Sequence, residues 1–242
     1  MAPPCDRRWF LKSAAGVTLG AGLASFGCQR STDVSNVETG VEPEPLFRIS
    51  LAEWSLHRTL NTGEMDHLDF ARAAVEDYNC EGVEYVNTFF FDKAQDRGYL
   101  SEMMMRAEDQ GIPSLLIMCD GEGRLGDPDG AARTIAVENH FKWLEAAEYL
   151  DCHAIRVNAA SEGDFQEQQR LAADGLRRLC ERGSEHGLDV IVENHGGLSS
   201  NGAWLAGVIE LVDHPRCGTL PDFGNFRIGG DEWYDFYTGV SE

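Results

Sequence analysis

The chain has 242 residues, 43% hydrophobic and 25% charged, with a formal net charge of −21 from 20 basic and 41 acidic residues. That composition describes a globular protein of one large or two small domains. Its negative excess excludes the cationic footprint that non-specific nucleic-acid binding or docking on anionic lipid requires. Seven cysteines contain no CxxC pair, which removes the common zinc-thiolate and redox motifs. Cys119, Cys152 and Cys217 lie in or beside apolar runs and read as buried thiols.

The N-terminal stretch DRRWFLKSAAGVTLGAGLASFGC pairs Arg7 with Arg8, continues with Phe10, Leu11 and Lys12, and then turns weakly apolar and rich in Gly and Ala. Residues 1–28 resemble a twin-arginine export signal, which places the protein in the periplasm or on the membrane as a lipoprotein. The apolar run is too short and too glycine-rich to span a bilayer. Cys28 is a candidate lipid anchor, although Leu23 stands too far upstream for a good lipobox. Residues 29–45 carry Ser, Thr, Glu and Pro without periodicity and read as a linker.

From residue 46 to 242 short apolar runs alternate with longer helical patterns. Strands are predicted at 47–55, 82–87, 113–120, 153–159, 189–194 and 217–223. Helices are predicted at 65–78, 96–111, 127–150, 164–187 and 200–214, each with apolar residues three and four apart. Leu171, Leu176 and Leu179 form such a stripe, and Gly111 and Gly187 stand where a helix closes before a strand. Repeats of about thirty residues with nearly continuous apolar strands imply a parallel sheet under helices. No GxGxxG follows the first strand, so a (β/α)8 TIM-barrel type is favoured over a doubly wound sheet. A full barrel takes roughly 250 residues. About six βα units are present here, with a further helical pattern at 230–242, so the barrel is expected to be incomplete, with its first and last strands as edges.

The strands end in polar residues: Trp54 and His57, Asn87, Asp120, Asn158, Glu193 and Asp222. In parallel barrels these carboxyl ends build the site, although a polar strand end is more often an ordinary helix cap, and Asp120 and Asn158 can be read so. Glu193 and Asp222 stand on consecutive strands about 4.8 Å apart, where two carboxylates can share one divalent cation. Without an ion they would repel, and one would take up a proton. His195 can bond a sugar hydroxyl or cap a loop. Trp54 and His57 can stack on a sugar ring, with core packing an equal reading for the Trp. His140, mid-helix beside Trp143, reads as structural, and Met103 to Met105 as ordinary helix. Glu84 and Arg156, on strands two and four, are expected to form a buried ion pair, since alternate strands fill one layer of a barrel interior.

The segments VENHGGLSSNGAWL and GTLPDFGNF, with VEYVNTFF, LLIMCDGEGRLGD and IRVNAA, resemble the sugar phosphate isomerase/epimerase group of xylose-isomerase-like barrels. The resemblance covers residues from about 47 to the end. It implies a divalent metal (Mn, Mg, Co or Zn) held by four ligands, the first two falling on Glu193 and Asp222 and the others expected beyond residue 242. Many relatives carry a substrate-binding His three residues after the Asp, where Asn225 stands here. The implied chemistry is proton transfer beside the carbonyl of a small-molecule sugar or keto-sugar through an enediolate, with Glu193 as metal ligand and acid/base. A dehydratase or lyase on the same scaffold, and a non-catalytic carbohydrate-binding barrel, are the alternatives. A related barrel family cleaves damaged DNA, which the charge and the export signal argue against. No phosphate-binding loop or basic cluster appears, which favours a free sugar. With two ligands only, the 242 residues alone are expected to bind metal weakly and to be inactive.

Overall fold

A computed structural model describes residues 46–226. All of them belong to one compact unit, Pro45–Glu242. The signal segment at 1–28, the linker at 29–45 and the helical pattern at 230–242 lie outside the described residues.

Six parallel strands follow one another in chain order: β1 (Ser50–Ala52), β2 (Gly82–Val86), β3 (Ser114–Met118), β4 (Ala154–Asn158), β5 (Asp189–Glu193) and β6 (Cys217–Leu220). Each pairs with the next, and among the described residues β1 and β6 do not pair with each other. Among the described residues the sheet is an open, six-stranded arc of a (β/α) barrel. Seven helices connect it: α1 (His57–Thr62), α2 (Phe70–Glu76), α3 (Arg97–Gln110), α4 (Gly130–Asn139), α5 (Phe141–Tyr149), α6 (Phe165–Glu185) and α7 (Gly202–Val212).

Acidic and amide side chains start the helices by taking up free backbone donors. Asp96 accepts from the Tyr99 amide, Asp129 from Ala131 and Ala132, Asp164 from Glu167, and Asn201 from Trp204. Gly111 ends α3 at φ 64°, a left-handed conformation that glycine adopts without strain. Strand alternation separates two apolar layers. Val83, Tyr85, Ile117, Ile155, Val190 and Val192 face the helices and join Leu171-adjacent α6 residues such as Leu176 and Leu179 in the main core. Val86, Leu116, Met118 and Ala154 line the concave side with Ala52, Phe89, Ile191 and Leu220.

Two elements differ from the sequence reading. β1 is only three residues long, because Glu53 begins a 3-10 turn that runs to Leu56 and leads into α1. Buried Glu53 turns there to accept the Val86 amide at 2.8 Å and to contact His67 at 3.0 Å. The predicted helix at 127–150 is two helices, broken at His140. Its ring Nδ1–H donates to the Ala136 carbonyl at 2.7 Å, while its main-chain amide bonds Val137 instead. The side chain has replaced the bond that would have continued the helix.

Gly175, inside α6, packs directly on the loop after β3. A Cβ there would lie 1.9 Å from the Leu125 carbonyl oxygen. Gly→Ala in a helix interior ordinarily gains up to about 1 kcal/mol. Here the sign reverses, and Gly175→Ala is expected to cost about 1–3 kcal/mol through overpacking. Urea unfolding of the variant checks this, and a gain in stability would contradict the packing described.

Candidate functional site

The carboxyl ends of β3, β4 and β5 meet around Arg156. This residue, 5% exposed, projects its side chain from β4 to the concave side. Its Nη1 donates to Asp120 Oδ1 at 2.9 Å, and its Nε lies 2.8 Å from Glu193 Oε2 in an ionic contact. Asn158 adds a bond from Nδ2 to the same Asp120 oxygen at 2.8 Å. Asp120 and Asn158 are thus parts of this network and not simply helix caps.

The expected Glu84–Arg156 pair does not form. Pairing aligns Glu84 with Leu116 and Leu116 with Ala154, whereas Arg156 aligns with Met118 and hence Val86. Arg156 therefore sits one layer nearer the mouth than Glu84. There it meets two carboxylates, while Glu84 accepts from Ser50 Oγ at 2.5 Å.

Glu193 is 7% exposed at the end of β5. Burial raises its pKa; Arg156 and then His195 pull it down, while Asp222 and Asp120 push it up. Asp222 lies two residues past β6 and is half-buried. One atom joins the two carboxylates: Asn225 Nδ2 donates to Asp222 Oδ2 at 2.8 Å and to Glu193 Oε1 at 3.3 Å. Asp222 Oδ1 accepts the Gly224 amide at 2.7 Å. Asn225 stands between the acids much as a cation would.

Two asparagines that the sequence reading did not single out for the site, or took as a strand end alone, set the backbone of its acids. Asn87, one residue past β2, accepts the Asp120 amide and donates to the Asp120 carbonyl, both at 2.9 Å. Asn194, one residue past β5, does the same to Asp222 at 2.7 and 2.8 Å. Both are fully buried. The repeated strand ending, Val-Asn in YVN and Glu-Asn in VEN, was the available signal. Asn194→Ala leaves the part-buried amide and carbonyl of Asp222 without this partner and is expected to cost about 1–3 kcal/mol. Urea unfolding reads it; an unchanged midpoint would show that the clamp is dispensable.

His195 is exposed, and its amide donates to Ser199 Oγ at 3.0 Å. Trp54 and His57 form a second group, on the turn after β1 and at the start of α1. Their rings stack at 4.7 Å with 12° between planes, and Phe89 lies 6.1 Å from Trp54. Trp54 is 53% exposed, so it is not a core residue. His57 Nδ1–H donates to the Trp54 carbonyl at 2.7 Å, which leaves Nε2 as an acceptor. His140, by contrast, is buried, and desolvation lowers its pKa.

Among the described residues no three His, Cys, Asp or Glu side chains form a metal cluster. Glu193 and Asp222 nevertheless offer the hard oxygen donors that a divalent cation takes, turned toward one common point.

The fold and the acidic mouth define a (β/α)-barrel protein with its polar constellation at the strand carboxyl ends. The chain belongs to the xylose isomerase-like TIM barrel family, whose model matches residues 72–241. No curated protein matches by sequence. Among solved structures it is similar to the probable 3-DHS dehydratase AsbF of Bacillus anthracis (19% identity, TM-score 0.61, covering 81% of this chain and 70% of that one). It is also similar to the 3-keto-D-glucoside 4-epimerase YcjR of E. coli (16% identity, TM-score 0.59, 73% and 71%). A third is an IolI protein with a bound zinc atom (12% identity, TM-score 0.62, 78% and 67%). At these identities the likeness establishes the fold.

Proposed function

We propose that the protein is a divalent-metal-dependent isomerase or epimerase acting on a sugar or keto-sugar by proton transfer beside its carbonyl. The observation that carries this reading is the convergence of Glu193 and Asp222 on one nitrogen at the barrel mouth. Glu193 moves the proton at the carbon next to the carbonyl. Its burial raises its proton affinity, and Arg156 holds it in place. With a cation in the place its Nδ2 now holds, Asn225 would turn its amide hydrogens to substrate oxygens; His195 bonds a hydroxyl, and the Trp54–His57 stack carries the face of the sugar. A cation held by Glu193 and Asp222 would act as a Lewis acid on the substrate oxygens. The bound zinc of the similar IolI protein supports the metal, and the keto-glucoside epimerase supports the substrate class. The twin-arginine segment supports export of the folded protein.

The dehydratase among the similar structures favours a second reading, elimination of water on the same scaffold. One experiment distinguishes the readings. The protein, with one divalent metal at a time, is incubated with a keto-sugar such as a 3-keto-glucoside in D2O and followed by NMR. Deuterium entering beside the carbonyl with a changed configuration or a shifted carbonyl supports the proposal. Water loss with a new double bond supports the dehydratase. Sugar and metal binding without exchange or elimination would overturn both in favour of a binding barrel.

A further inference from the structure

Away from the mouth, two thiols meet behind the sheet. Cys217 opens β6, and its side chain alternates with Gly218 and Leu220 so as to face the helix layer. Cys180 comes from the last quarter of α6 and is fully buried, while Cys217 is partly exposed. The two thiols interact side chain to side chain, which raises the pKa of Cys180 and lowers that of Cys217. The Cys180 thiol also lies 4.0 Å from the carbonyl oxygen of Arg216, the residue whose peptide leads into Cys217.

We propose that Cys180 and Cys217 form a redox-modification site, a dithiol that closes to a disulfide by exchange with a low-molecular-weight disulfide such as oxidised glutathione. The two sulfurs are differently prepared for this. The contact between them favours the thiolate on Cys217, and the same contact, with burial, holds Cys180 protonated. Cys217 is also the one that solvent reaches.

In the first step the Cys217 thiolate attacks one sulfur of the small disulfide, forming a mixed disulfide and releasing one thiolate. Cys180 then gives its proton to solvent. Its sulfur attacks the Cys217 sulfur and expels the second thiolate. The protein loses two protons and two electrons, and one small disulfide becomes two thiols.

The other described thiols lack such a partner. Cys80 contacts the Tyr78 carbonyl and Cys119 the Ile117 carbonyl, and burial raises the pKa of Cys119 and of Cys152. The new bond would close a loop that contains β5, Glu193 and α7, and would tie β6, the strand before Asp222, to α6. A folded protein carried from a reducing to an oxidising compartment would acquire this bond after folding. The site itself depends on neither the proposed activity nor the export.

Peptide mapping of the whole protein tests the inference. The reduced protein is equilibrated with oxidised glutathione, quenched with an alkylating agent and digested. A Cys180–Cys217 cross-linked peptide, reversed by dithiothreitol, is expected as the dominant product. The oxidised protein should melt higher, by on the order of 5 °C. Cys180→Ser should stop at a glutathione adduct on Cys217. The proposal fails if both cysteines stay alkylatable while Cys80 reacts, if wild type stops at the mixed disulfide, or if the dominant link joins either cysteine to another thiol.

Discussion

Glu193→Gln is expected to slow deuterium exchange beside the substrate carbonyl by about 10²–10⁴-fold, with the protein still folded. Glutamine keeps the shape and can still accept from Asn225 Nδ2, as Glu193 Oε1 does at 3.3 Å. It cannot take up a proton, and it removes one of the two charges offered to a cation. Metal affinity should therefore fall together with turnover, as isothermal titration would show. Asp222→Asn, which touches no proton in the proposed chemistry, should weaken metal binding more than it slows exchange at saturating metal. Exchange at the wild-type rate in Glu193→Gln would remove Glu193 from the acid/base role.

Arg156→Met should be the most destabilising substitution at the site. The guanidinium is the ionic partner of Glu193, and the two side chains are only 7% and 9% exposed. Removing one member of a buried pair strands the other, at about 3–5 kcal/mol. The loss should depend on pH in a definite direction. Burial already raises the Glu193 pKa and Arg156 opposes that rise, so in the variant the carboxyl takes up a proton more readily. A carboxyl with a raised folded-state pKa stabilises the fold below its unfolded pKa, and that contribution disappears as pH climbs through the folded value. The deficit of Arg156→Met should thus be small in acid and grow toward neutral pH. Urea midpoints measured across that range decide it. A deficit of equal size at every pH would mean that lost packing, and not an unpaired charge, is responsible. Arg156→Met combined with Glu193→Gln should lose less than the sum of the two single variants.

Much of this architecture was legible before any coordinates. Strand and helix periods, and glycines such as Gly111, are local signals. They report on residues a few positions apart, where backbone geometry alone decides. The breaks at Glu53 and His140 were not legible in this way. In each, a side chain bonds a backbone group that chain geometry alone would have assigned elsewhere, and nothing in the spacing of apolar residues records that exchange.

By itself the sequence determined the order of βα units, the strand ends at which polar residues gather, and the candidacy of Glu193 and Asp222, because these follow from periodicities of two and 3.6 residues. Tertiary structure alone decided the partners. Arg156 meets Asp120 and Glu193 and misses Glu84 because strand register moves it one layer toward the mouth. Asn87 and Asn194 become clamps because each faces the backbone at the end of the next strand. Cys180 reaches Cys217 because α6 packs behind β6, bringing together residues that no local pattern connects. Register and packing are properties of several segments at once, so no single stretch of the chain carries them.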